Sequence, residues 1–103
     1  MTLRQKQSKF TYMTALLVLH AYHLGYELTE GDSYRDPRVG YGHKDSLHRK
    51  RLAKDYNLFR DGRYLKSTKA WLPIGEYWES IGGTWGGRFD DGNHFSLAHG
   101  GMK

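Results

Sequence analysis

Residues 2–24 contain neither glycine nor proline, while all 13 glycines and both prolines of the chain follow from position 25 onward. A stretch of that length with no breaker commits the first quarter of the chain to one long helix. Phe10, Met13, Leu17, Ala21 and Leu24 recur at three-to-four spacing and predict its inward face, with Leu16 and Leu19 widening the stripe. Gly25 supplies the stop. Arg4, Lys6 and Lys9 ahead of the apolar residues 12–22 imitate a signal peptide. The apolar run is shorter than the roughly 20 residues a bilayer span needs, contains His20, and has no small-x-small cleavage site. It therefore reads as a core helix, with no export signal evident.

Downstream, residues 26–29 predict a short strand entering a polar turn at 30–34, and Pro37, Gly40 and Gly42 make 35–45 irregular. Residues 52–59 alternate as a strand, with Leu52, Tyr56 and Leu58 on one face and Ala53, Asp55 and Asn57 on the other. Asp61-Gly62 between Leu58-Phe59 and Tyr64-Leu65 predicts a tight hairpin. A loop is expected at 67–73, a short helix at 74–81 stopped by Gly82-Gly83, and an extended piece around 94–96 in a glycine-rich tail. This order predicts an α+β fold: a small antiparallel sheet packed against a long N-terminal helix and a shorter helix. At 103 residues there is room for one domain, 1–103, and one modest core.

Cysteine is absent. That excludes disulfides, thiolate metal sites and cysteine nucleophiles together, so any metal must be held by His, Asp or Glu. The 16 Lys+Arg against 11 Asp+Glu give a net charge of +5, which favours a polyanionic partner: nucleic acid, anionic membrane or an acidic wall polymer. Aromatics at 15% suit either a small core or a groove for an extended ligand.

Two segments hold the residues that could carry chemistry. In the first, His48 and Asp55 are seven positions apart, so a strand face bearing Asp55 with His48 at its entrance could bring both to one ion. A solvated polar strand face gives the same pattern. In the second, Asp91 precedes His94 by three positions in a glycine-broken stretch that opens with Trp85. A carboxylate beside a ligand histidine can bind or orient a metal, or serve as a general base. Asp-Asp-Gly-Asn is also ordinary turn chemistry. Taken together the two segments offer three nitrogen and oxygen ligands and a spare carboxylate, the inventory of a catalytic zinc site with one open position.

The Ser46-x-His48-x6-Asp55 element, with Ala53 two before the aspartate, is followed by Trp85-Gly-Gly-Arg-Phe and then Asp91-Gly-Asn-His94-Phe-Ser. This series resembles the zinc D-alanyl-D-alanine carboxypeptidases and phage L-alanyl-D-glutamate endopeptidases, the phage endolysins most of all, over about residues 3–101. The resemblance implies a hedgehog/DD-peptidase-like fold and a zinc peptidase cutting the stem peptides of bacterial peptidoglycan. It implies His48, Asp55 and His94 as zinc ligands, and Asp91, where many relatives carry Glu, as the base that deprotonates the attacking water. Arg35 matches an arginine near the scissile carbonyl, able to steady an oxyanion or hold a substrate carboxylate. Ser46 is expected as a hydrogen-bonding support, and Trp85 as the tryptophan beside the metal. Arg51 departs from the family pattern by standing where the common motif has Gly, and 35–46 is short against relatives.

Further expectations follow from the same resemblance. They are a monomer without a separate wall-binding domain, phage-encoded, made in the host cytoplasm and acting on periplasmic or wall peptidoglycan. Neither nucleic acid nor stable membrane insertion is expected. A metal-stabilised module that grips wall peptide or a partner without cutting is the alternative, since hedgehog-type relatives use this fold in signalling. A basic nucleic-acid binder, suggested by His48-Arg-Lys-Arg51, ranks third. His20 and His23 are expected in packing or surface roles. His43 and His99 are open as substrate-contacting and supporting residues.

Overall fold

The computed structural model describes residues 1–31 and 50–100. Arg35, His43, Ser46 and His48, with the predicted turn at 30–34 beyond Gly31 and the irregular stretch at 35–45, lie outside the described residues.

The first helix, α1 (Leu3–His23), begins where the side chains allow it to. Thr2 Oγ1 accepts the Gln5 N–H at 3.1 Å and Gln5 Oε1 accepts the Thr2 N–H at 2.8 Å, a reciprocal cap that satisfies two donors the helix cannot. At the other end Gly25 takes φ +91° and turns the chain. The buried face is Phe10, Met13, Thr14, Leu17 and Ala21. Leu19 does not widen it: that side chain is 68% exposed, because the helix is packed along one stripe and uncovered behind.

Strand β1 (Glu27–Glu30) pairs antiparallel with β2 (Ala53–Arg60), which is also paired to β3 (Arg63–Leu65) and to β5 (His94–Ser96); β4 (Thr84–Trp85) closes the far edge against β5. The order across the sheet is β1-β2-β5-β4, with β3 beside β2. Thus β2 is the central strand. Its start is laddered to β5 and its end to the β3 arm of the hairpin, while β1 covers its other edge.

The hairpin forms at the dipeptide that predicted it. Arg60 opposes Arg63, and the two residues between them, Asp61 (φ +51°) and Gly62 (φ +78°), adopt the left-handed pair that matches strand twist. The second helix starts earlier than its expected bounds. A 3₁₀ turn at Thr68–Trp71 runs into α2 (Leu72–Ser80) in place of a loop, because Pro73 falls in the first turn, where its missing N–H costs nothing. Strand β4 and the 3₁₀ turn at Gly86–Phe89 lie within the glycine-rich tail, where the one element expected was the extended piece around 94–96.

The core lies between α1, α2 and the sheet. Trp71, Trp78, Trp85, Phe95, Leu17, Leu58 and Ile74 are buried there. Phe95 sits among three edge-on or tilted rings, Trp71, Trp78 and Tyr56. Trp78 Nε1 donates to both the Thr84 and the Ser96 carbonyls, at 3.1 and 3.0 Å, which fastens α2 to strands β4 and β5. Among the described residues, no helix is long and apolar enough to cross a membrane.

Candidate active site

The ladder between β2 and β5 places Asp55 directly opposite His94. Opposed residues of antiparallel strands project from the same face with Cβ atoms about 4.5–5.5 Å apart. Here the side chains meet, His94 Nδ1 lying 3.0 Å from Asp55 Oδ1. The pair is sheltered, with side-chain exposures of 12% for His94 and 7% for Asp55. Both neighbours of β2 hold this point. Gly31 N–H donates to the Asp55 carbonyl at 2.8 Å, and Tyr56 N–H to the Asn93 carbonyl at 3.1 Å. Two residues separated by 39 positions therefore share one rigid location.

Asp91 is positioned by main-chain bonds on either side of it. Its N–H donates to the Gly86 carbonyl at 2.9 Å, and its carbonyl accepts the His94 N–H at 3.1 Å. The turn that follows is tied twice at Gly92. Its N–H donates to Thr68 Oγ1 at 3.2 Å, and its carbonyl accepts Trp85 Nε1–H at 2.7 Å. Glycine is required at Gly92 and Gly86 by closeness of approach. A Cβ on Gly92 would lie 2.7 Å from Thr68 Cα, and one on Gly86 would strike the Asp91 carbonyl oxygen and lie 2.8 Å from His94 Cβ. The carboxylate of Asp91 is left at the surface, beside a polar cavity of about 190 Å³.

The 3₁₀ turn ahead of Asp91 is anchored in its turn. Arg88 forms a two-pronged ion pair with Glu79 of α2, at 2.9 and 2.7 Å, and lies over the Trp85 ring at 5.2 Å. Hydrogen bonding to Arg88 holds the Glu79 carboxyl below its ordinary range. Tyr56, next to Asp55, is no base. Burial first, and then the nearby Glu30 charge, push its phenol above the usual tyrosine range against an opposing hydrogen bond with Thr14.

A family profile described as D-alanyl-D-alanine carboxypeptidase matches residues 40–97. The chain belongs to this family. More than half of the sequence is matched, including Ser46, His48, Asp55, Trp85, Asp91 and His94, whereas Arg35 and α1 fall outside the matched range. No curated protein matches the chain.

In this member of a family whose peptidases are generally zinc-dependent, the two described donors, Asp55 and His94, are of the kinds that zinc takes. Two donors on one tetrahedral zinc lie about 3.3–3.6 Å apart, given bonds of about 2.0–2.2 Å. The 3.0 Å between His94 Nδ1 and Asp55 Oδ1 is within a few tenths of that separation. Among the described residues no cluster of three or more candidate ligands forms, and His48, the third expected ligand, lies outside them. Trp85 is 2% exposed and stands behind the Asp91 turn, its ring packed against Gly75 and Gly87.

Arg51 of this family member has φ +59°. Arg51, expected from the resemblance to stand where the common motif has Gly, thus adopts the conformation glycine favours, at a cost of roughly 1–2 kcal/mol. Among the other histidines, His20 stacks on Tyr77 at 3.9 Å, His23 is exposed, and His99 Nδ1 lies 3.2 Å from Lys6 Nζ. Sequence reasoning missed the supporting parts: Thr68, and the steric role of Gly86 and Gly92. The Trp85-Gly-Gly and Asp91-Gly strings were their only signal.

Proposed function

We propose that the chain is a zinc metallopeptidase of the phage endolysin kind that hydrolyses stem peptides of bacterial peptidoglycan, at L-Ala–D-Glu or at a bond involving D-Ala. The observation that carries this is the cross-strand pair of Asp55 and His94, three residues beyond an exposed Asp91 held by backbone alone. His48, Asp55 and His94 would hold the ion in a hedgehog/DD-peptidase-like frame. Bound zinc supplies Lewis-acid polarisation of the scissile carbonyl and a water of lowered pKa, about 7.

The protein's own groups do the rest. Asp91 takes a proton from the attacking water and returns it to the leaving amine. Its reach is one methylene shorter than that of the glutamate many relatives carry, so the fixed turn at residues 86–92 must set its distance. Arg35 steadies the negative charge that develops on the carbonyl oxygen, and Ser46 supports the ligand segment by hydrogen bonding. A surplus of positive charge draws the protein to an anionic wall. It acts there as a monomer after synthesis in the host cytoplasm.

Asp91→Asn tests the assignment of the base. Asparagine keeps the two main-chain bonds and the side-chain shape, so zinc content and melting temperature should match those of the parent. Turnover of a stem peptide should fall by about 10²–10⁴-fold. A variant with full turnover would remove Asp91 from the chemistry.

A further inference from the structure

The cavity beside Asp91 has a second wall that hydrolysis itself does not use. The β2–β3 hairpin and the residue after it contribute Asn57, Tyr64 and Lys66, and the Asp91 turn contributes Asn93. At about 190 Å³ the cavity is smaller than the roughly 300–1,000 Å³ of pockets that enclose a whole drug-sized ligand, so it has room for one residue of a longer substrate. Its hairpin wall is ordered from behind. Asn57 Nδ2 donates to Thr29 Oγ1 at 3.2 Å and to the Glu30 carbonyl at 3.4 Å, and Tyr64 Oη donates to Asn57 Oδ1 at 3.5 Å.

Lys66 is the exception in this wall. Its ammonium lies 5.7 Å from the Tyr64 ring centre, and among the described residues no carboxylate is within ion-pair distance of it. Among the described residues, two basic side chains flanking the Asp55–His94 pair and the Asp91 turn are engaged, Lys54 with Glu30 at 2.8 Å and Arg88 with Glu79 at 2.7 Å. The cavity lining therefore carries two carboxylates on the turn, Asp90 and Asp91, and on the hairpin side a cation, Lys66, with no ion-pair partner among the described residues. A substrate carboxylate entering it is repelled by Asp90 and Asp91 and drawn to Lys66, which orients the chain that carries it.

We propose that Lys66 is a specificity-determining residue that pairs with a carboxylate on the substrate residue occupying this cavity. The inference deepens the hydrolytic function proposed above and rests on it. Two groups of a wall stem peptide offer that chemistry: the free carboxylate of its D-glutamyl residue and its C-terminal carboxylate.

The test compares the parent protein, Lys66→Gln and Lys66→Arg on three zinc-supplemented stem peptides: one with both carboxylates free, one amidated at D-glutamate, and one amidated at the C-terminus. On the free peptide Lys66→Gln should raise KM about five- to tenfold with little change in kcat, and Lys66→Arg should restore most of it. The penalty should vanish on one amidated peptide, and which one names the carboxylate. An equal penalty on all three peptides, or none on the free one, overturns the proposal. Binding followed by tryptophan fluorescence, with Trp71 in the cavity lining, separates the two claims. If the parent cuts no peptide, the hydrolytic function fails, while a carboxylate-dependent loss of affinity in Lys66→Gln still upholds the pairing and an unchanged affinity refutes it.

Discussion

His94→Ala is expected to abolish hydrolysis of peptidoglycan stem peptides, lowering kcat/KM on the order of a thousandfold, which corresponds to about 4 kcal/mol of lost transition-state stabilisation. The size follows from the position of the ring. His94 is laddered against Asp55 in the middle of the sheet, and nothing flexible connects the two donors. The two side chains that follow it, Phe95 and Ser96, are buried in the core and cannot swing in to replace the imidazole. The fold should survive, since β5 is held by its backbone ladder and by Trp78 Nε1. The parent should melt higher with zinc than without it, as binding to the folded state alone requires. In His94→Ala that zinc-dependent rise should disappear. A variant still active and still stabilised by zinc would exclude His94 as a ligand.

Gly86→Ala is expected to be nearly as damaging although it touches neither donor atom. The new methyl group would collide with the Asp91 carbonyl oxygen and press on His94 Cβ. Neither can retreat freely, since the Asp91 N–H is bonded to Gly86 itself and the next residue is held by Thr68 and Trp85. Overpacking of this kind costs about 1–3 kcal/mol of stability. The catalytic loss should be larger in proportion, because a displacement of about 1 Å in a catalytic group can cost on the order of a hundredfold. Thermal melts and kcat measured on one preparation check both parts. Wild-type kcat in Gly86→Ala would show that the Asp91 turn tolerates movement, contrary to the geometry.

Those two positions mark what could and could not be read from the sequence. The α1 helix, the Asp61-Gly62 hairpin and the strand holding Asp55 were legible because each rests on local signals: absence of breakers, turn chemistry and alternation. The opposition of Asp55 and His94 is not local. It depends on a register between strands 39 positions apart, and only the resemblance to known peptidases suggested that they meet. Leu19 misled because an apolar residue at helical spacing says nothing of whether a neighbour covers it. Strand β4 escaped because two residues carry too little pattern, and the start of α2 because residues 67–73 were expected as a loop whereas Pro73 occupies the helix's first turn. Gly86 and Gly92 look like ordinary turn glycines until the atoms they face are known.

The cavity containing Lys66 was illegible for a further reason. Its walls come from the hairpin, from the 3₁₀ turn at Thr68–Trp71 and from the turn before β5, and no motif links them. Arg51 is the opposite case, a departure visible in the sequence that the backbone accommodates by taking a glycine-like φ.

The central claim is that an ion gripped by imidazole and carboxylate groups makes this protein cut wall peptides. Mass spectrometry of fragments released from purified peptidoglycan, by enzyme with zinc and by enzyme stripped with a chelator, tests it most directly. Discrete stem-peptide fragments ending at a single bond should accumulate with zinc, vanish on chelation and return when zinc is restored. The same fragments released at an unchanged rate by the stripped enzyme would contradict the account.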